Sequence, residues 1–255
     1  MNQNLVRQKL RAGGTSFGTM AFEFFTPGLA RILASAGAEY VILDQEHSGV
    51  GIDTIKAQVG FARGAGIVPI VRVPNCTKEL ICPVLDAGAL GIMVPMVESA
   101  EEAQNLVQWC RYRPHGKRGL GLGLGNDDYQ PMPPRAAMDA ANESILTIAM
   151  IETVDGLRNV RAILGTPGID LGWIGHFDLS DSMGIAGDFA NPRFTTAEAD
   201  IIAAGRAVGT PLGWLANNGV QAREGIARGC RALCLSTDVA LLRSALSAEI
   251  KAAKG

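Results

Sequence analysis

Eight short apolar runs recur along the chain: FGTM (17–20), YVIL (40–43), VPIVR (68–72), LGIMV (90–94), LTIAMI (146–151), LGWI (171–174), TPLGWL (210–215) and ALCL (232–235). Between them lie segments with apolar residues at helical spacing, among them GLARILASAG, IDTIKAQVGFARG, KELICPVLDAG, VDGLRNVRAIL and AEADIIAAGRAVG, and several finish in the glycine that commonly stops a helix. A helix between two strands returns the chain to a parallel neighbour. Eight such alternations in 255 residues therefore predict an α/β protein, a single (β/α)8 TIM barrel over residues 1–255. A doubly wound open sheet is the competing arrangement, but it would collect its ligand at one switch point. Here charge follows several different strands: Asp44-Gln45-Glu46-His47 after YVIL, Arg72 at the end of VPIVR, Glu152 after LTIAMI and Asp178 shortly after LGWI. Charge at the ends of separate parallel strands is how a barrel assembles one active site.

The formal net charge of -2 lacks the basic excess that nucleic acid or anionic lipid would attract. The expected partners are small molecules and further copies of the chain. Five cysteines (Cys76, Cys82, Cys110, Cys230, Cys234) form no CxxC or Cys/His spacing, and an odd number of scattered thiols suits packing in a reducing compartment. No apolar run approaches the roughly 18 residues of a membrane span, so the expected location is the cytoplasm.

One connection, residues 111–145, is long, and loops of that length in compact domains are usually functional or disordered. Its alternating glycines (Gly119, Gly121, Gly123, Gly125) follow a helical pattern and lack a phosphate-loop frame. The expectation is a flexible rim or lid over the barrel mouth, with Arg113, Lys117 and Arg118 available to attract an anionic substrate.

Glu152 and Asp178 are a candidate metal pair. Mg²⁺ is commonly held by one or two carboxylates with several waters, and Mn²⁺ or Co²⁺ would also fit such ligation. The plainer reading is that each acid caps the helix that follows it. His47 is one of three histidines, and its unperturbed pKa near 6.5 suits a general base. Asp44, three residues away, or Asp86, through folding or from a neighbouring subunit, could orient its ring. Arg72 could clamp a carboxylate or enolate oxygen, or form a salt bridge to Glu46, Glu98 or the Asp127-Asp128 pair.

Taken together in order, DQEHSG (44–49), VRVP (71–74), MVPMVESAEEA (93–103), RPHGKRGLG (113–121), MIET (150–153) and GHFDLSDSMG (175–184) resemble the HpcH/HpaI family of metal-dependent, pyruvate-specific class II aldolases. The resemblance covers nearly the whole chain. It implies a barrel of the phosphoenolpyruvate/pyruvate type whose last helix is exchanged with a neighbour, in a hexamer built as a trimer of dimers. It also implies reversible retro-aldol cleavage of a 4-hydroxy-2-oxoacid to pyruvate and an aldehyde through a metal-bound pyruvate enolate. By the same resemblance His47 is the proton acceptor, Arg72 stabilises the enolate, Asp86 raises the basicity of the histidine, and Glu152 and Asp178 ligate the metal. Backbone N–H groups of Phe177 and Asp178 would hold the substrate carboxylate.

The chain departs from the family pattern in ways that bear on substrate. His176 and Phe177 stand where many members have GPxDLS, Met20 replaces a usual Trp, Met150 a usual Gln, and Leu122 a polar residue. His176 and Met150 thus become candidate substrate contacts. The pocket should be more apolar, which favours an aromatic or other hydrophobic aldehyde, as in aromatic catabolism. Three alternatives stay open: oxaloacetate decarboxylation, a citrate-lyase-like carbon–carbon cleavage, and a barrel that binds or assembles without catalysis.

Overall fold

A computed structural model describes residues 3–255. The eight strands are β1 (Ser16–Ala21), β2 (Tyr40–Asp44), β3 (Val68–Arg72), β4 (Gly91–Val94), β5 (Leu146–Ile151), β6 (Leu171–Ile174), β7 (Leu212–Ala216) and β8 (Cys230–Thr237). All pair in parallel in chain order, and β8 returns to β1 to close the barrel. The helices are α1 (Leu5–Arg11), α2 (Leu29–Ser35), α3 (Ile52–Gly64), α4 (Lys78–Asp86), α5 (Ala100–Cys110), α6 (Pro134–Ser144), α7 (Val154–Arg158), α8 (Val160–Leu164), α9 (His176–Ser182), α10 (Pro192–Val208), α11 (Gly219–Arg228) and α12 (Asp238–Lys254).

The strands are buried on both faces, as parallel strands inside a ring of helices must be. Their side chains accordingly divide into two cores. One fills the barrel with Tyr40, Ile42, Val68, Ile70, Leu146, Ile148 and Trp173, and α1 closes its floor with Val6 and Leu10. The other lies between sheet and helices and takes the alternate residues, such as Val41, Leu43, Val71, Ala149 and Ile151. Large rings inside the barrel face glycines. A Cβ on Gly213 would lie 2.2 Å from the Trp173 ring, so only glycine fits beside that indole.

The 111–145 connection, expected as a flexible rim or lid, carries a 3₁₀ turn at Gly125–Asp127 and the helix α6. Two expectations from sequence are corrected. Arg118 is buried rather than displayed to solvent, bonds the Asp86 carboxylate at 2.6 Å and lies over the Tyr112 ring at 4.6 Å. The segment VDGLRNVRAIL forms two short helices, not one, broken at Asn159, whose amide donates to the Glu98 carbonyl at 2.8 Å. All five cysteines are free thiols. No helix among the described residues is long and apolar enough to cross a membrane.

Candidate active site

Inside the barrel, side chains recur with period two. Tyr40 and Ile42 of β2 point inward, so Asp44 comes next; Val68 and Ile70 of β3 lead to Arg72; Leu146, Ile148 and Met150 of β5 lead to Glu152. At the C-terminal end of the barrel the alternation carries on while the residue type changes from apolar to charged. Asp44 is fully buried and accepts a 2.6 Å hydrogen bond from Arg72 Nε. Its carboxylate also accepts backbone N–H groups of Glu46 at 3.3 Å and His47 at 2.8 Å, which fixes the turn that carries the histidine. The Glu46 carboxylate lies 3.2 Å from Arg72 Nε and 3.6 Å from His47 Nε2. Arg72 is thus shared between two acids, yet its Nη2 is buried without a hydrogen-bond partner.

Glu152 is only 2% exposed, and its Oε1 accepts the Met96 N–H at 2.7 Å. Met96 holds the left-handed conformation, φ 53°, uncommon for a side chain of its kind, to present that N–H. Gly175, at the end of β6, leaves room for the other carboxylate oxygen, since a Cβ there would lie 2.1 Å from Oε2. Burial pushes the Glu152 carboxyl up to about 7; the Met96 hydrogen bond and Arg72 oppose this, while repulsion from Asp178 and Glu46 adds to it. Glu46 is raised too, first by burial, with Arg72 and His47 lowering it and Asp44 and Asp178 raising it. Asp178 sits in the first turn of α9. Two acids therefore pair with the Arg72 guanidinium, while Glu152 and Asp178 add negative charge close to Glu46.

A cavity of about 420 Å³ opens here, lined by the polar His47, Arg72, Glu152 and Asp178 and by the apolar Met20, Phe22, Met93, Met150, Trp173 and Leu215. His176 and Phe177 line its rim, and burial lowers the affinity of His176 for a proton while Asp178 opposes that. Among the described residues no group of three or more His, Cys, Asp or Glu side chains is arranged to hold a metal ion. The donor set at Glu152 and Asp178 is the two-carboxylate kind that leaves positions for water and substrate. An excess of buried negative charge with one carboxylate held near neutral fits a divalent cation.

Asp86 is not brought to this site within the protomer. It ends α4 and bonds Arg118 instead. Asp44 meets the backbone of His47 and not its ring, so the carboxylate beside the imidazole is Glu46, which the sequence had placed only as a partner for Arg72. The salt-bridge partners of Arg72 among the described residues are Asp44 and Glu46, not Glu98 or the Asp127-Asp128 pair, of which Asp127 accepts the Gly123 N–H and Asp128 pairs with Arg63. The catalytic cavity has no lining residue from 111–145, Leu122 included, and Cys76 lines a neighbouring cavity with Met96 and Glu102. Sequence reasoning missed Phe22, Met93, Trp173 and Leu215. The period-two signal within β4, β6 and β7 could have found the last three.

A family model described as HpcH/HpaI aldolase/citrate lyase matches residues 21–245. A hydroxypyruvate/pyruvate aldolase of Chromohalobacter salexigens is 34% identical over 250 residues, covering 95% of each chain. The crystal structure of an HpcH/HpaI aldolase from Desulfitobacterium hafniense superposes with TM-score 0.93 at 31% identity, over 97% of this chain and 96% of that one. A 2-keto-3-deoxy-L-rhamnonate aldolase of Salmonella gallinarum is 30% identical over 97% of this chain and 92% of its own.

Proposed function

From the premise that the chain belongs to the HpcH/HpaI aldolase/citrate lyase family and is a carbon–carbon lyase, we propose a divalent-metal-dependent class II aldolase that reversibly cleaves a 4-hydroxy-2-oxoacid to pyruvate and an aldehyde. The observation that carries this reading is the gathering of His47, Arg72, Glu152 and Asp178 in the lining of one cavity, with Asp44 and Glu46 paired to the Arg72 guanidinium. Glu152 and Asp178 would hold Mg²⁺, Mn²⁺ or Co²⁺, which supplies Lewis-acid stabilisation of negative charge on the substrate's keto oxygen.

The chain's own groups divide the remaining work. In the cleavage direction His47 takes the proton of the substrate's 4-hydroxyl, the C3–C4 bond breaks to release the aldehyde, and its electron pair passes into the enolate of pyruvate. A proton then returns to C3 to give the methyl group. The His47 side chain, 56% exposed at the mouth, can trade that proton with solvent. Arg72 offers its unpartnered Nη2 to an enolate or carboxylate oxygen, while Asp44 and Glu46 fix its plane. The N–H groups of Phe177 and Asp178 belong to the first turn of α9, where helix donors lack intrahelical partners, and suit the oxoacid carboxylate. Met150 packs beside it.

The test is pyruvate release from a panel of 4-hydroxy-2-oxoacids with each cation. Release should vanish on exhaustive chelation and in Glu152→Ala; turnover that persists after chelation defeats the reading. Oxaloacetate in the same panel reads out the decarboxylase alternative. The exposed Leu241, Leu242, Leu246 and Ile250 of α12 support a homo-oligomer, a hexamer by family likeness, in which the helix is covered by a partner and Asp86 acts across an interface. Sedimentation of the protein with α12 intact measures that state.

A further inference from the structure

Beside the catalytic cavity lies a second one of about 260 Å³, and the two share His176, Leu215 and Asn217 as common lining. The second cavity lies outside the barrel wall: Leu215 faces the catalytic cavity, while its neighbour Trp214 lines only the outer one. Aromatic rings run from the lining of one to the lining of the other. His176 packs on Phe177 with centroids 4.6 Å apart and meets the edge of Phe189 at 5.1 Å; Phe177 meets Phe189 at 5.1 Å, and Phe189 continues to Phe194 at 5.4 Å. The outermost ring, Phe177, is 63% exposed. Offset and edge-on pairs of this kind leave ring faces free to stack on a further flat group.

The second cavity also has an unmet polar need. The indole N–H of Trp214 is buried and has no hydrogen-bond partner, whereas Nη1 of Arg228 pairs with the Glu198 carboxylate and its guanidinium lies over the face of the Trp214 ring at 4.9 Å. A carboxylate-tailed acceptor would have to compete with Glu198 for that guanidinium and would meet two carboxylates, Glu198 and Glu224, among the lining residues. A neutral oxygen on a flat tail would find a free donor, with Glu198 and Glu224 among the lining residues to accept a hydroxyl proton in turn.

Resting on the aldolase reading above, we propose that the second cavity is the subsite for the tail of the aldehyde, and that the acceptor class is an aryl aldehyde with a hydroxyl group on the ring edge away from its carbonyl. The carbonyl carbon stays in the catalytic cavity, where it meets the methyl carbon of pyruvate. The ring lies along His176 and Phe189, which makes Phe189 a specificity-determining residue although it does not line the catalytic cavity.

The experiment has two arms on the metal-loaded enzyme. Exchange of pyruvate methyl protons with deuterium, followed by NMR without any aldehyde, reads the parent aldolase reading alone. The second arm compares kcat/KM for para-hydroxybenzaldehyde, benzaldehyde, glycolaldehyde and succinic semialdehyde. Wild type should favour para-hydroxybenzaldehyde over succinic semialdehyde by at least about tenfold, the scale on which a shaped pocket separates substrates. Phe189→Ala should lower the ratio of para-hydroxybenzaldehyde to glycolaldehyde by about tenfold, and Trp214→Phe should bring para-hydroxybenzaldehyde down to the level of benzaldehyde. Exchange in wild type combined with a preference for succinic semialdehyde, or with ratios unmoved in both variants, overturns the subsite while the aldolase reading stands. Absence of exchange with every cation overturns both. If Phe189→Ala does not fold, the Trp214→Phe ratio decides.

Discussion

The two ends of the barrel use the same residue types to opposite effect. At the floor Arg7 and Arg111 converge on Asp170, at 2.8 and 2.9 Å, and Asp170 also accepts from the Thr147 backbone and hydroxyl at 3.1 and 3.0 Å. There a single buried acid is matched by two buried guanidinium groups, and at the rim Arg11 and Glu143 add one charge of each sign. At the mouth Arg72 is paired with both Asp44 and Glu46, and Glu152 and Asp178 add two further acids. A cluster whose acid is fully matched by cations stabilises a structure and holds no surplus of negative charge. An unbalanced one keeps a standing demand for positive charge, and this distinguishes the functional end of the molecule from the structural one even though both are polar and buried.

The widest separation between the two ends should appear on removal of an acid from each. Glu152→Ala should lower pyruvate proton exchange by at least about a thousandfold, the several kcal/mol that Lewis-acid stabilisation supplies, and leave the fold intact. Asp170→Ala should instead strand Arg7 and Arg111 without their partner and cost about 3 to 5 kcal/mol of stability. Exchange kinetics and denaturant unfolding on both variants check the contrast. A Glu152→Ala protein that unfolds as readily as Asp170→Ala would erase it.

The next effect is on stability against pH in the metal-free protein. The Glu152 carboxyl moves from 4.5 to about 7 on folding, so between those values the native state holds a proton that the unfolded chain has lost. Stability is therefore greatest below about 4.5 as far as this group is concerned, and falls as pH rises through about 7, by at most about 3 kcal/mol. Glu46, raised in the same direction, steepens the fall. Thermal unfolding with chelator from acid to neutral pH measures it; Glu152→Gln should flatten the curve, and added Mn²⁺ should reverse its direction near neutrality. A flat curve in wild type would mean that the mouth is not short of positive charge.

The barrel was legible because eight apolar runs with helical spacers leave few other ways to bury both faces of each strand. Arg72 and Glu152 were legible because period-two alternation along an apolar run delivers a side chain to the mouth, and His47 and Asp178 because each lies shortly beyond such a run, in a turn or the first turn of a helix. What escaped was contact between elements. No local pattern says that Asp44 turns to Arg72 and the His47 backbone, leaving the ring to Glu46, or that Arg118 is drawn under the loop by Asp86 and Tyr112. Helix α6 was hidden by the Pro133-Pro134 pair and the glycines before it, although proline in the first helical turn followed by an alanine-rich stretch is a sound helix start.

Arg72→Lys makes the finest cut between the two ends. Arg72 Nε is occupied by Asp44 at 2.6 Å with Glu46 at 3.2 Å, while Nη2 remains for a ligand, so one planar group performs two tasks at two separated nitrogens. A lysine ammonium concentrates its donors at one point and cannot do both. It will stay with the buried Asp44, because leaving that acid unpaired costs more than losing a contact to an exchangeable substrate. The expected result is an approximately tenfold loss of kcat/KM for the oxoacid with little change in stability. At the floor, Arg111→Lys keeps its charge beside Asp170 and should leave kcat/KM as it was while lowering stability by about 1 kcal/mol. Steady-state kinetics and unfolding curves on the two variants decide the matter. Equal kinetic losses from both ends would show that Arg72 serves only as scaffolding for Asp44.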